Sequence, residues 1–300
     1  MNIFLILLKI RPLLLFAYQG FAHFLGMEGR EMGIAFPARS PYNGHKMTAG
    51  RAYRCLPIHT KKENPMNLII EHLSKRFEQK EVLRDIDFTF SDGKIYGLLG
   101  RNGAGKTTLF NCLNRDLKAD GGSFSLEEGG VRREVAPEDM GYVVSTPTVP
   151  EFLTGREFLK FFVDINRGSI QNLKSLDEYF DRMSIAPEDR DKLLKDYSHG
   201  MKNKMQMLIN IIAQPKVLLL DEPLTSLDVV VAEEMKGLLR SLKEGRITIF
   251  STHILDLALD LCDEIVLLSH GELEAVEKSN LDSQEFKEKI IAALKEETYA

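Results

Sequence analysis

Residues Gly100-Arg101-Asn102-Gly103-Ala104-Gly105-Lys106-Thr107 spell G-x-x-x-x-G-K-T. Gly103 and Gly105 let the backbone turn tightly, so that successive N–H groups converge on one anion. Lys106 adds a mobile charge for β- and γ-phosphates, and the Thr107 hydroxyl is placed for Mg²⁺. The preceding Lys94-Ile95-Tyr96-Gly97-Leu98-Leu99 is an apolar strand candidate. The following stretch from Thr107 and Thr108 to Leu113 reads as a helix whose positive N-terminal end faces the same spot. A glycine-rich turn can match this pattern by accident, but the strand–loop–helix context points to a phosphate cradle, and so to a nucleotide.

Outward from this loop, strands and helices alternate, which predicts an α/β fold with a mostly parallel sheet. Strands are expected at Leu68–His72, Ile86–Phe90 and Ile95–Leu99, then at Gly141–Val144, Lys216–Leu220, Ile247–Ser251 and Ile265–Ser269. Gly121-Gly122 and Gly129-Gly130 read as turns around a short strand. Between Leu153 and Tyr197 the pattern becomes helical and charged, with Phe158, Leu159, Phe162 and Val163 at helix spacing. That stretch reads as an inserted helical subdomain whose Phe-rich face is buried. Helices are also expected near Val230–Leu242 and Ile254–Cys262, and a polar one at about Ser283–Lys295.

Val217-Leu218-Leu219-Leu220-Asp221-Glu222 is a hydrophobic strand ending in two acids. A buried strand delivers such carboxylates at its C-terminal edge, where open α/β sheets bind ligands. Asp221 is suited to Mg²⁺, through water, and Glu222 to polarising the water that attacks a γ-phosphate. Alone, the pair would read as an ordinary strand end; after a phosphate loop it reads as a Walker B element.

Four further motifs make the resemblance specific. Tyr197-Ser198-His199-Gly200-Met201, about twenty residues before Walker B, resembles the signature segment of ABC ATPases, in the form common among ABC-2-type exporter ATPases. By itself it is also a plain helix N-cap. Ser226-Leu227-Asp228 stands at that family's D-loop spacing, and Phe250-Ser251-Thr252-His253 resembles its H-loop. Phe77 resembles the aromatic that stacks on adenine, with a core Phe as the alternative. The resemblance covers Met66 to about Val276. It implies a P-loop NTPase of ABC type: a mostly parallel core, an antiparallel β subdomain and a helical insert at about residues 150–200. It implies ATP and Mg²⁺ as ligands. Ser198, Gly200 and Asp228 would contact ATP bound to a second ATPase subunit, identical or paralogous. His253 would contact the γ-phosphate and help hold the attacking water. Ser145 stands where the family's Q-loop carries Gln, which reaches Mg²⁺; the shorter side chain does so only through a bridging water. His199 replaces a smaller residue.

Composition bounds the partners. The chain has 300 residues, 44% of them hydrophobic, and a net charge of −5, which leaves no general basic footprint for nucleic acid. Its three cysteines have no C-x-x-C spacing, which favours a reducing compartment. No apolar run reaches transmembrane length. Residues 1–65 differ from the rest, with nine Lys/Arg against three Asp/Glu. Three readings of this leader stand. It is a signal peptide, although its charges interrupt the apolar core; or a membrane-interface anchor; or a non-native or disordered segment preceding a true start at Met66. Lys62-Glu63 fits the codons AAG-GAG, a bacterial ribosome-binding sequence at a sensible distance from Met66, which favours the third.

With no spans of its own, the chain is expected to power a separate transmembrane permease subunit from the cytoplasmic face of the cell membrane, as part of an exporter. The alternative is a soluble ABC ATPase with no transport role. Chromosome and repair ATPases of this kind need a long coiled coil before the signature, and the roughly ninety residues here leave no room for one.

Overall fold

Strand β3, Lys94–Leu99, is the centre of the fold: five of its six residues are buried. A strand hidden on both faces must be apolar throughout rather than alternating. The computed structural model describes residues 65–168, 170, 172–224, 227–276 and 290. The leader to residue 64, Ser226 and the expected terminal helix, apart from Ile290, lie outside the described residues.

Around β3 stands a six-stranded sheet in the order β10-β9-β3-β8-β7-β6. Its members are β6 (Met140–Val143), β7 (Val217–Asp221), β8 (Ile247–Thr252), β9 (Glu264–Ser269) and β10 (Glu272–Val276). All pairings are parallel except that of β10 with β9. The two-residue period of a strand sends alternate side chains into different layers. Ile95, Leu99, Leu218, Leu220, Phe250, Ile265 and Leu267 pack on one face with the helical segment. Tyr96, Leu98, Val217, Leu219, Ile249, Val266 and Leu268 pack on the other, against helix α1 (Lys106–Leu113) and the second sheet. Each such aliphatic side chain, fully buried, contributes about 1.5–3 kcal/mol.

The second sheet is antiparallel, in the order β2-β1-β4-β5, built from β1 (Met66–Phe77), β2 (Lys80–Ser91), β4 (Gly121–Glu128) and β5 (Val131–Glu134). Its first two strands run to 12 residues each, much longer than the five-residue strands expected. The extension passes through register shifts after Ile70 and after Leu73. There His72 adopts φ 54°, and no alternating pattern survives to mark a strand. Its imidazole bonds Asp85, and its N–H donates to Asp87 across the irregularity. Gly121-Gly122 is no turn: it opens β4, and Gly122 at φ +78° lies so close to the bulge that a Cβ would sit 2.3 Å from the His72 carbonyl. Gly129-Gly130 is the turn, between β4 and β5.

Between β6 and β7 lies the helical segment: α2 (Gly155–Asn166), α3 (Leu176–Arg182) and α4 (His199–Ala213). Thr154 with Glu157 and Ser175 with Glu178 form capping boxes that start the first two helices. The expected Phe158, Leu159, Phe162 and Val163 face is buried. Helices α5 (Val229–Ser241) and α6 (Leu255–Leu261) complete the layer. Cys112 and Cys262 are both buried. Among the described residues, no helix is long and apolar enough to cross a membrane.

Candidate functional site

Three strands end together. Leu99 lies opposite Thr252, and Asp221 opposite Ser251; the Gly100 N–H bonds the Thr252 carbonyl at 3.3 Å. Parallel pairing in this register brings the phosphate loop, the Walker B acids and His253 to one edge, although 153 residues separate Gly100 from His253 along the chain.

The loop itself is shaped as its glycines predict. Gly103 and Gly105 have φ +84° and +110°, the left-handed region that disfavours any side chain. Gly105 is the N-cap of α1 and offers no side-chain cap, and the first turn holds no acid. The helix therefore presents uncapped N–H groups and its positive dipole end to whatever anion sits in the loop. Arg101, Asn102 and Ala104 form the rim, with the Ala104 N–H donating to the Arg101 carbonyl. The Lys106 ammonium donates to the carbonyls of Gly100 (2.6 Å) and Arg101 (3.0 Å) and lies 3.6 Å from Glu222. Burial pulls its pKa down, against the opposing pull of Glu222 and Asp221.

Asp221 is a hub. Thr107 donates to its Oδ2 at 2.7 Å and Ser251 to its Oδ1 at 2.6 Å. Burial pushes the Tyr142 phenol's pKa up, and the charge of the Asp221 carboxylate adds to the shift. Glu222 sits at φ 47°, its N–H donating to Ser251 Oγ at 3.1 Å. His253 Nδ1 lies 3.0 Å from Glu222 Oε1; a carboxylate only accepts, so that nitrogen carries the proton. A hydroxyl and a carboxylate oxygen in contact are a hard-oxygen donor set of the kind Mg²⁺ takes, so Thr107 and Asp221 fit that ion.

The remaining candidates stand apart from this cluster. Ser198 caps α4, accepting from the Met201 N–H at 3.2 Å. Gly200 lies in the first turn, where a Cβ would meet Leu227 at 3.3 Å. Asp228 caps α5 through the Val231 N–H at 3.0 Å. Among the described residues, Ser198, Gly200 and Asp228 make no hydrogen bond or ion pair with the phosphate loop. Tyr197, in the same motif, is buried and donates to the Asp189 carbonyl; burial pushes its phenol up to about 12. That ring anchors the segment rather than reaching a ligand. Phe77 is 45% exposed at the end of β1, with the Lys75 ammonium over its ring, which removes the alternative of a core Phe. Ser145 is exposed. Nearby, the buried Gln206 of α4 accepts the Thr148 N–H and ties this loop to the helical segment.

Ser251 and Tyr142 received no role from the sequence. A serine inside the apolar run Ile247–Thr252 was the available signal, since a hydroxyl buried there must find partners.

A phosphate cradle, a hard-cation pair and a carboxylate–imidazole pair at the carboxyl edge of a parallel sheet define a P-loop nucleotide hydrolase. The family model described as ABC transporter matches residues 83–225. The uncharacterized ABC transporter ATP-binding protein YdbJ of Bacillus subtilis is 34% identical over 69% of this chain and 68% of its own length. The daunorubicin resistance ATP-binding protein DrrA3 of Streptomyces coeruleorubidus is 32% identical over 69% and 67%. The probable sulfate/thiosulfate import ATP-binding protein CysA of Chlorella vulgaris is 31% identical over 69% and 89%. The solved ATP-binding subunit of an ABC transporter shares the fold, with a TM-score of 0.63 at 24% identity over 76% of this chain and 98% of that one. The chain belongs to the family of ABC transporter ATP-binding subunits, and its activity class is ATPase.

Proposed function

We propose that this chain hydrolyses ATP to drive a membrane exporter, working from the cytoplasmic face on a separate permease subunit. The observation that carries the catalytic reading is the convergence of Lys106, the Thr107–Asp221 pair and the Glu222–His253 pair at one sheet edge. The loop N–H groups and the α1 N-terminus bind the phosphates. Lys106 exchanges its two loop carbonyls for the β- and γ-phosphates. Thr107 and Asp221 would hold Mg²⁺, which would neutralise charge on the phosphate oxygens, and Ser145 would assist only through a bridging water. Glu222 takes the proton of the attacking water, and His253 orients Glu222 and the γ-phosphate. Phe77 is exposed and therefore available to stack on the adenine.

Ser198, Gly200 and Asp228 serve a second ATPase subunit. Two such chains close head to tail over two nucleotides, and hydrolysis reopens them, biasing the permease between states. The groove between the helical subdomain and the loop from Ser145 to Phe152, whose last residue is 60% exposed, is the proposed permease contact. The ATPase domain takes in residues 66–300, with the helical subdomain at about 150–200. Export is favoured by the Tyr-Ser-x-Gly-Met form of the signature and by the likeness to a drug-resistance ATP-binding protein. Import is the second reading, favoured by the likeness to an import ATP-binding protein.

Replacing Glu222 with Gln keeps shape but removes the base. Turnover is expected to fall by about 10²–10⁴-fold, the usual contribution of a general base, while ATP affinity stays within about twofold. Phosphate release and nucleotide titration read the two quantities; a variant that turned over normally would remove Glu222 from the chemistry.

A further inference from the structure

Ser251 is fully buried at the end of β8, directly opposite Asp221 in the parallel register. Its single hydroxyl is used in both directions. The Glu222 N–H can only donate, so the oxygen accepts from it at 3.1 Å. The hydroxyl proton then goes to Asp221 Oδ1 at 2.6 Å. We propose that Ser251 is a positioning residue for both Walker B acids, fixing the Asp221 carboxylate through its side chain and the Glu222 carboxylate through its backbone. This rests on the catalytic reading of Asp221 and Glu222.

The two bonds do different things. With Oδ1 held by Ser251, the carboxylate plane is set and Oδ2 is left facing Thr107 at 2.7 Å, the pair suited to Mg²⁺. Without Ser251 the carboxylate can rotate, and the donor set loses its fixed geometry. The second bond holds Glu222 at φ 47°, a conformation that a non-glycine residue keeps only where the surroundings enforce it. That conformation turns the chain sharply after Asp221 and aims Glu222 at His253, 3.0 Å away. Removing the acceptor deletes this bond to the Glu222 N–H and takes away one reason for the left-handed turn.

The decisive comparison is Ser251→Thr with Ser251→Val, two side chains of equal volume that differ only in the hydroxyl; Ser251→Ala tests its loss without added bulk. The full-length chain is assayed for kcat and KM for ATP, for the Mg²⁺ concentration giving half-maximal rate, and for Mg²⁺-free binding of a fluorescent ATP analogue. Val and Ala are expected to lower kcat about 10- to 100-fold, as loss of a buried hydrogen-bonding partner implies. They are also expected to raise the Mg²⁺ requirement several-fold while leaving Mg²⁺-free analogue binding within about twofold. Thr is expected to stay near wild type on all three. If added bulk damages Val and Thr alike, Ala decides by the same readouts. Wild-type kcat and Mg²⁺ dependence in Ala would overturn the proposal, as would an equal loss of Mg²⁺-free binding and turnover, the mark of general unfolding. Glu222→Gln, run alongside, separates the two failures. If it is inactive while Ser251→Ala is normal, only the positioning role falls. If it is fully active, the catalytic reading falls and takes this proposal with it.

Discussion

The carboxyl edge of the parallel sheet and the first turn of the His199–Ala213 helix carry the two halves of one motif set, and they are built in opposite ways. At the sheet edge, buried or half-buried polar groups satisfy each other across three strands: Thr107 and Ser251 on Asp221, His253 on Glu222, Lys106 on loop carbonyls. At the starts of this helix and of α5, Ser198 and Asp228 are exposed and satisfy only their own helices. A network that closes on itself inside one chain is complete as a binding site. A pair of exposed caps is complete only as local structure, and any ligand it serves must arrive from outside. The difference supports a division of labour in which one chain grips the nucleotide and another seals it.

That contrast can be broken most severely at Lys106. Lys106→Ala is expected to weaken ATP binding at least about 100-fold, because a buried charge-assisted contact to phosphate is lost; a titration showing undiminished affinity would deny the sheet edge its role. Next comes Gly200→Asp, which places a carboxylate beside the proposed contact with the other subunit's γ-phosphate. Turnover is expected to drop about 10- to 100-fold through like-charge repulsion, while ATP affinity of the isolated chain changes by less than about twofold. Equal loss of both would mean that the helix start belongs to the same chain's site. Phe77→Ala sharpens the comparison at the rim. Loss of base stacking is expected to raise the dissociation constant about tenfold, with kcat at saturating ATP unchanged, and an unaltered constant would return Phe77 to plain surface.

The smallest effect lies far from either half. His72 has its pKa raised above the ordinary 6.5, first by the hydrogen bond to Asp85 and then by the charge of Asp87. A group whose folded pKa exceeds its unfolded one contributes stability that is fully present below the unfolded value and is lost as pH rises through the folded one. The melting temperature is therefore expected to fall slightly from pH 6 to pH 8, and His72→Ala should flatten that slope. Because the ion pair is fully exposed, the change is on the order of 1 °C; an identical slope in the variant would mean that other groups set it.

Much of this was legible in the chain. Apolar runs bounded by turns placed β3, β7, β8 and β9 within one or two residues, since strands buried on both faces have no alternative composition. The order of the motifs specified what should converge. Less legible was the antiparallel sheet, where register shifts at Ile70, Leu73 and Lys75 break the alternation. There a pair of glycines served a close backbone approach rather than a turn. The task of Ser251 has no local signature, because its partners are 29 and 30 residues away in sequence and adjacent only through strand pairing.

The amino-acid order by itself determined local chemistry: the glycine turn that exposes N–H groups, the helix that follows the loop, the acids that must emerge where an apolar strand ends. These follow from dihedral preference and two-residue alternation, which act over a few residues. Only the tertiary structure decided which hydroxyl orients Asp221, that the Tyr197 ring is an anchor, and that Phe77 stands in solvent. Those depend on parallel register and layer packing, which join positions that no local pattern connects.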